Sequence, residues 1–267
     1  MDGHVTEARD TSFERIARTY DEARPGYPEE LYDCIVSFGS LTLADRVLEV
    51  GVGTGQATVP LARRGFAILG IEPGNDLSNI ARANLAAFPR VSIETARFED
   101  WKNEHGAFGL ALSAQAFHWL GSEVRLPRFA DALRIGGTLA LFGNAPSVAD
   151  GALRVALDAV YERFASALGR RADAHGWYAS AASPAFEELR ASARFVDATF
   201  AAFDWQRPLS AAAYRSLLAT YSDHSTLPTT EREALLDGVS SAIHEHGGTI
   251  LLDYRTGLFL ARRAGRQ

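Results

Sequence analysis

The sequence predicts a doubly wound α/β fold, a mostly parallel sheet covered on both faces, with an antiparallel edge and a helical insertion. Three observations point there. Short apolar runs alternate with amphipathic helical stretches between residues 46 and 142, and parallel strands need such crossover helices to re-enter the sheet in the same direction. The first run, Arg46 to Val50, ends in the alternating glycines Gly51, Gly53 and Gly55. From about residue 150 the rhythm gives way to alanine-rich helical stretches.

The elements follow in order. The first dozen residues read as disordered, and Ser12 to Thr19 then carries Phe13, Ile16 and Ala17 at helical spacing. In Arg24-Pro25-Gly26-Tyr27-Pro28 the prolines bias Arg24 and Tyr27 toward extended backbone, and Pro28 is placed to start a helix through Leu31, Ile35 and Val36. Strand Arg46 to Val50, helix Gln56 to Arg64, strand Ala67 to Ile71 and helix Asn75 to Ala87 come next. Strands Val91 to Thr95 and Leu110 to Ala114 follow, with little helix signal in Trp101 to Gly106 between them. Helix Glu123 to Leu133 and strand Thr138 to Phe142 complete the alternation. The insertion holds one strand candidate, Thr199 to Gln206. Thr249 to Leu260, two apolar runs rich in β-formers around a polar center, is expected to close the sheet as its antiparallel edge. The expected division is a helical segment over 1–40, a core over 41–149, a mainly helical insertion with one strand over 150–248, and a last strand over 249–267.

With 267 residues, 47% apolar and 22% charged, the chain can bury a sizeable core as one domain with an insertion or as two closely joined lobes. Its net charge of −6 lacks the clustered Lys and Arg that phosphate backbones call for, which argues against nucleic acid as a partner. Cys34 is the one cysteine, so no intramolecular disulfide and no cysteine-based zinc site can form. There is no apolar leader region, and no run approaches the roughly 18 apolar residues of a membrane span. A cytoplasmic location without a membrane partner is therefore expected, and the oligomeric state is left open. His244-Glu245-His246 could present two imidazoles, but they precede Gly247 at an expected helix end, where cationic side chains are favoured, and no metal site is expected.

Ligands of doubly wound sheets sit outside the carboxyl ends of the strands, so the residues just after each strand carry the functional expectations. In Gly51-Val52-Gly53-Thr54-Gly55 the glycines let the backbone turn tightly and let a ligand approach the main chain without a Cβ in the way. A dinucleotide loop needs G-x-G-x-x-G, and that spacing puts Gln56 where the third glycine should stand. The spacing here is G-x-G-x-G with Glu49 two residues ahead. It closely resembles the S-adenosylmethionine (SAM) loop of class I methyltransferases. After the second strand, Glu72 is the only acid on an apolar run and precedes Pro73. A carboxylate there can accept hydrogen bonds from both ribose hydroxyls, or can be an acid favoured at a helix start.

Further segments carry the resemblance. Ser113-Ala114-Gln115-Ala116-Phe117-His118-Trp119-Leu120 is similar to the small-molecule subgroup of class I methyltransferases that includes trans-aconitate methyltransferase. Phe13, Ala17, Tyr20, Arg24, Pro25, Tyr27 and Pro28 match an F-x-x-x-A-x-x-Y-x-x-x-R-P-x-Y-P signature of that subgroup. Ile135-Gly136-Gly137-Thr138 matches its L-x-P-G-G turn, with Ile where Pro is frequent, and Leu218-Ala219-Thr220-Tyr221-Ser222 also looks like it.

The resemblance implies a seven-stranded Rossmann-like sheet, SAM as cofactor with S-adenosyl-L-homocysteine as product, and in-line methyl transfer to a small-molecule acceptor. It implies that the loop residues Gly51, Gly53, Thr54 and Gly55 meet the methionine part of SAM, that Glu49 supports the loop or the ammonium, and that Glu72 and Pro73 border the ribose. Phe98 would offer its amide to an adenine ring nitrogen. Arg97 stands where an aspartate usually accepts from the exocyclic amine, and a guanidinium has no acceptor. Glu99, Asp100, a backbone group or water must then take that role, unless the run is a solvated acidic turn. Ser113 and Gln115 would hold the methionine end by backbone or side chain. The N-terminal segment would be a lid, with Tyr20 near the sulfonium and Arg24 pairing with a carboxylate of cofactor or substrate, or else these two are an aromatic staple and a surface ion pair. His118 and Trp119 would border the acceptor, with Trp177, Tyr178 and Tyr221 as further pocket residues from the 150–248 segment. His118 or Tyr20 would be the proton acceptor for an alcohol or amine substrate, the alternative for His118 being a packed, hydrogen-bonded ring. Gly109 replaces the usual aspartate at the start of its strand, a departure that concerns packing.

Two other functional readings remain open. A non-catalytic SAM-binding sensor or interaction module keeps every cofactor feature. An NAD-type oxidoreductase would share the fold and Glu72 but needs a glycine at position 56.

Overall fold

The computed structural model describes residues 17–168 and 177–265. Phe13 and Ile16, with most of the first expected helix, lie outside them. The described part of the first helix, α1, is Ala17–Ala23, and α2 is Glu29–Gly39, with Pro28 as its N-cap at φ −57°. There follow β1 (Arg46–Val50), α3 (Thr58–Arg63), β2 (Ala67–Glu72), α4 (Asn75–Asn84), β3 (Val91–Thr95), β4 (Phe108–Ala114), a 3-10 turn (Phe117–Trp119) and α5 (Arg125–Ala132). The rest comprises β5 (Leu133–Val148), α6 (Gly151–Phe164), α7 (Pro184–Ala191), β6 (Phe195–Ser210), α8 (Ala211–Ala219), α9 (Ser222–Ser225), α10 (Thr229–Glu245) and β7 (Thr249–Arg263). As the weak helix signal of Trp101 to Gly106 suggested, the β3–β4 connection contains no helix.

The seven strands form one mostly parallel sheet with an antiparallel edge, in the order β3-β2-β1-β4-β5-β7-β6. Leu48 of β1 pairs with Leu69 of β2 on one side and with Ala111 of β4 on the other, both in parallel register. The order reverses direction beside β1, which opens a crevice beyond the carboxyl ends of β1 and β4. Alternate side chains of the same strands enter different cores, as the two-residue period of a strand requires. Leu48, Val50 and Ala111 join Phe98, Phe117 and Phe129, whereas Val47, Leu110 and Leu112 join Leu31, Ile35 and Leu61. Burial on both faces explains why β1 and β4 are mostly apolar.

Three expectations are corrected. Thr249–Arg263 is not the edge of the sheet but lies between β5 and β6, and β6 takes the outer position. The strand expected over Thr138 to Phe142 runs from Leu133 to Val148. Its Gly-Gly turn is a bulge, where the register jumps from Phe108 opposite Leu133 to Leu110 opposite Thr138 and Gly136 takes φ +72°. The 150–248 stretch does not stay together. The chain divides into one unit of Met1–Pro25, Ala145–Gly176 and Asp204–Arg255 and a second of Gly26–Asn144, Trp177–Phe203 and Thr256–Gln267. Phe186, Leu189 and Phe195 tie their part of the stretch to the second unit, because they share its core with Phe259 and Phe129. The first unit has its own core, with Leu153, Leu157, Leu217, Leu235, Val239 and Leu252 among its members.

Candidate functional site

The glycine loop follows β1 in the second unit. Gly51, Gly53 and Gly55 take φ of +77°, +60° and +101°, a region that only glycine enters without strain. A Cβ on Gly51 would lie 2.3 Å from that of Ala116, so the loop packs directly on the end of β4. The Gly51 amide donates to the Ile71 carbonyl at 2.8 Å, and Asn84 Nδ2 donates to the Thr54 carbonyl at 2.9 Å. Glu72 closes the arrangement from β2. One carboxylate oxygen accepts the Gly53 N–H at 2.8 Å and the other the Gly74 N–H at 3.0 Å. Pro73 lies between Glu72 and Gly74 in the turn that this carboxylate spans.

Beneath the loop, Glu49 is fully buried within β1, and among the described residues its carboxyl oxygens meet no donor at hydrogen-bonding geometry. Burial pushes its carboxyl up from the usual 4.5 to about 8; the Thr58 hydroxyl draws it down, and the charge of Glu72 raises it further. At neutral pH Glu49 is thus a neutral acid whose charged form would be stabilised by a nearby cation.

Phe98 is buried against Trp101 and Phe129, which fixes the backbone after β3. Glu99 accepts the Gly121 N–H at 3.1 Å, and Arg97 stands 3.9 Å from Glu99 and 3.8 Å from Asp100. The substituted arginine therefore sits between the two acids that could replace the usual aspartate. After β4, Gln115 takes φ +52°, and its side chain accepts from the Tyr27 hydroxyl at 3.3 Å and donates to the Asn144 carbonyl at 3.4 Å. A non-glycine residue held in that region is strained, and such strain concentrates at ligand sites. Ser113, by contrast, is buried and donates its hydroxyl to the Val50 carbonyl at 2.9 Å, joining β4 to β1.

His118, Trp119, Trp177 and Tyr178 come together in the same unit. The His118 ring lies 4.9 Å from Trp119, 5.7 Å from Trp177 and 6.3 Å from Tyr178, centroid to centroid. Trp177 is 37% exposed, while Tyr178 is buried, stacks on Phe259 at 6.0 Å and has its carbonyl against Gly257. Tyr178 is therefore a core residue supporting this cluster, and burial holds its phenol far above the usual range.

Tyr20, Arg24 and Tyr221 fall in the first unit. The Arg24 guanidinium lies 5.0 Å from the Tyr20 ring centroid and 4.5 Å from that of Tyr221, and it donates to the Thr220 hydroxyl at 2.9 Å and carbonyl at 3.0 Å. These contacts make it a staple among aromatic rings, with no acidic partner in the bonds described. His244 and His246 each place Nδ1 on a helix carbonyl, those of Ser240 and Ala242, and no cluster of metal-ligating residues occurs among the described residues. The space where an aspartate would begin β4 is taken by Asp45, whose carboxylate lies within 2.2 Å of where a Gly109 Cβ would stand and pairs with Arg134 at 2.9 Å.

Sequence reasoning missed Asn84 and Asn144. Asn144 donates to the Gly26 carbonyl at 3.1 Å and accepts from the Thr256 hydroxyl at 2.6 Å, so it anchors the Gln115 turn through residues far apart in the chain. No local pattern marks it.

Residues 47–137 match the family model described as a methyltransferase domain. An uncharacterized methyltransferase of Mycobacterium tuberculosis is 26% identical over 235 residues, covering 88% of this chain and 86% of its own length. An uncharacterized methyltransferase-like protein of Schizosaccharomyces pombe is 27% identical over 261 residues, covering 94% and 95%. Among solved structures, a provisionally assigned type II methyltransferase from Anaeromyxobacter dehalogenans has a TM-score of 0.62 at 21% identity, over 91% of this chain and 99% of that one. Phosphoethanolamine N-methyltransferase 2 of Haemonchus contortus, in complex with S-adenosyl-L-methionine, has a TM-score of 0.54 at 15% identity, over 96% and 57%. At these identities the solved structures establish the fold, a Rossmann-like α/β sheet. The match of residues 47–137 to the methyltransferase-domain model, together with these methyltransferase relatives, supports a class I SAM-dependent methyltransferase, and SAM is the cofactor consistent with it.

Proposed function

We propose that the chain transfers the methyl group of SAM to a small-molecule acceptor. The observation that carries this reading is the double anchorage of Glu72, which ties the Gly53 amide and the Gly74 amide to one carboxylate beside three glycines of positive φ. A carboxylate can accept up to four hydrogen bonds, so one pinned by backbone amides still suits the two hydroxyls of a ribose. Pro73 and the rigid turn around it border the same position. Gly51, Gly53, Thr54 and Gly55 fit the methionine part, with Glu49 below them ready to ionise toward an ammonium group. The Phe98 amide, with Glu99 beside it, suits an adenine edge, and the Gln115 backbone follows β4 next to Ala116, which packs against Gly51.

When bound, SAM supplies an electrophilic methyl on a sulfonium whose charge disappears on transfer, so alignment and exclusion of water are what the chain contributes. His118, Trp119 and Trp177 form the aromatic wall that we assign to the acceptor, and His118 takes the proton where that acceptor is an alcohol or amine. Trans-aconitate belongs among the acceptors to screen. Arg24, stacked between Tyr20 and Tyr221, serves as a staple in this reading.

Calorimetric titration of the chain with SAM, and in parallel with NAD, tests the cofactor assignment. Saturable SAM binding without NAD binding is expected. Glu72→Ala should weaken SAM by several-fold or more, because it removes the ribose acceptor and leaves two backbone amides unpaired. Binding of NAD instead, or undiminished SAM affinity in Glu72→Ala, would overturn it; SAM binding with no turnover on any acceptor would make the chain a binding module.

A further inference from the structure

The first unit gathers two guanidiniums and a buried hydroxyl that the methyl-transfer reading does not use. Arg207 of β6 donates through Nη1 to the Ala23 carbonyl at 3.1 Å, which sets it beside Arg24. Arg24 engages the Thr220 hydroxyl and carbonyl through Nε and Nη2, at 2.9 and 3.0 Å. The stacking that makes Arg24 a staple, on the rings of Tyr20 and Tyr221, also holds the plane of its guanidinium. All of these acceptors are neutral oxygens, and among the described residues neither arginine pairs with a carboxylate. Nη1 of Arg24 and the Nε–Nη2 edge of Arg207 make no hydrogen bond there.

Tyr254 of β7 completes the group. It is 2% exposed, and its ring stacks at 4.3 Å on Trp205, which precedes Arg207 by two residues on the same face of β6. Its hydroxyl is sealed from solvent, yet meets no partner at hydrogen-bonding geometry among the described residues. Burial, and after it the Tyr221 phenol, push this hydroxyl far above the usual range, while the charges of Arg207 and Arg24 draw it down, so both guanidiniums lie within electrostatic reach. The acids nearby in sequence face other partners. Strand alternation puts Asp204 on the opposite side of β6, where it pairs with Arg255 at 2.8 Å, and Asp253 accepts from Gln206 at 2.7 Å. Burying an unsatisfied hydroxyl and gathering two like charges both cost free energy, and an anion seated among them offsets both. The unbonded donors are planar forks and one O–H, which match the two coplanar oxygens of a carboxylate.

We propose that Arg24, Arg207 and Tyr254 bind the carboxylate group of a small organic acid, with the two guanidiniums and the Tyr254 hydroxyl donating to its oxygens. The site is built within the first unit and requires neither SAM nor methyl transfer, so it stands or falls apart from the activity proposed above.

Titration of the full, ¹⁵N-arginine-labelled chain with acetate, acetamide and inorganic phosphate at constant ionic strength tests this. Acetamide keeps the shape of acetate without its charge, and the fixed ionic strength removes general screening. The Nε resonances of Arg24 and Arg207 should move saturably with acetate and stay in place with acetamide, and acetate should bind more tightly than phosphate. Arg207→Gln, read at Arg24, should weaken acetate about tenfold or more, and Tyr254→Phe several-fold. If Arg207→Gln does not fold, Tyr254→Phe and the wild-type resonances carry the test. Arginine resonances indifferent to acetate, an equal response to acetamide, tighter binding of phosphate, or undiminished acetate affinity in a folded variant would each overturn the proposal.

Discussion

Glu49 is buried near the end of β1 between the apolar Leu48 and Val50, and its protonation follows from that place. Its folded value of about 8 lies above the ordinary 4.5, so between those limits the folded chain holds a proton that the unfolded chain has lost. Its contribution to stability is therefore fully present below about pH 4.5 and declines as pH rises toward the folded value, past which it is lost. Glu49→Gln removes that dependence. Urea midpoints of both proteins from about pH 5 to about pH 9 should show wild type losing ground to the variant across the window; a gap that does not change with pH would mean that Glu49 is ionised throughout. Glu72, its neighbour in charge, was legible in the sequence as the lone acid ending an apolar run. What could not be read was its grip on Gly53 and Gly74, because that depends on the parallel register that sets β2 beside β1.

Among the elements, α6 carries the strongest local start signal. Asp150 accepts from the Ala152 amide at 2.8 Å and the Leu153 amide at 3.2 Å, satisfying two of the orphan donors of the first turn. Asp150→Ala should cost about 1 kcal/mol in chemical denaturation, with no change in SAM affinity if the helix serves only the first unit. Local signals of this kind made most of β1 to β4 and α4 readable, since each carries its own apolar pattern and turn residues. The Gly109 position shows where such reading stops. The departure from a usual aspartate could be seen in the sequence, but the compensating Asp45 and its pairing with Arg134 are contributed by segments distant in the chain.

For the whole molecule, the division into two units with separate cores gives the cofactor proposal a regional signature. Ligand that binds only the folded state adds about 2.7 kcal/mol at a concentration one hundred times its Kd. Hydrogen exchange with saturating SAM should therefore slow amides of the Gly51–Gly55 loop and the Glu72–Gly74 turn in the second unit more than those of α10 in the first. Uniform slowing across both units, or slowing centred on α10, would place the ligand elsewhere. The boundary itself was beyond sequence reading, because residues 150–248 are contiguous and similar in composition yet are shared between the two units.

The sequence by itself determined the alternation of strand and helix and the glycine loop with its acid partners, because short-range periodicity and turn chemistry are written in neighbouring residues, and its resemblance to class I methyltransferases pointed to the class of cofactor. Only the tertiary structure decided that β7 lies inside the sheet, that Tyr178 is core and Ser113 a strand staple, and that Arg24, Arg207 and Tyr254 gather in one unit. Each of those outcomes depends on which distant segments pack together, and the periodicity of a segment states only that one face must be covered, not by what.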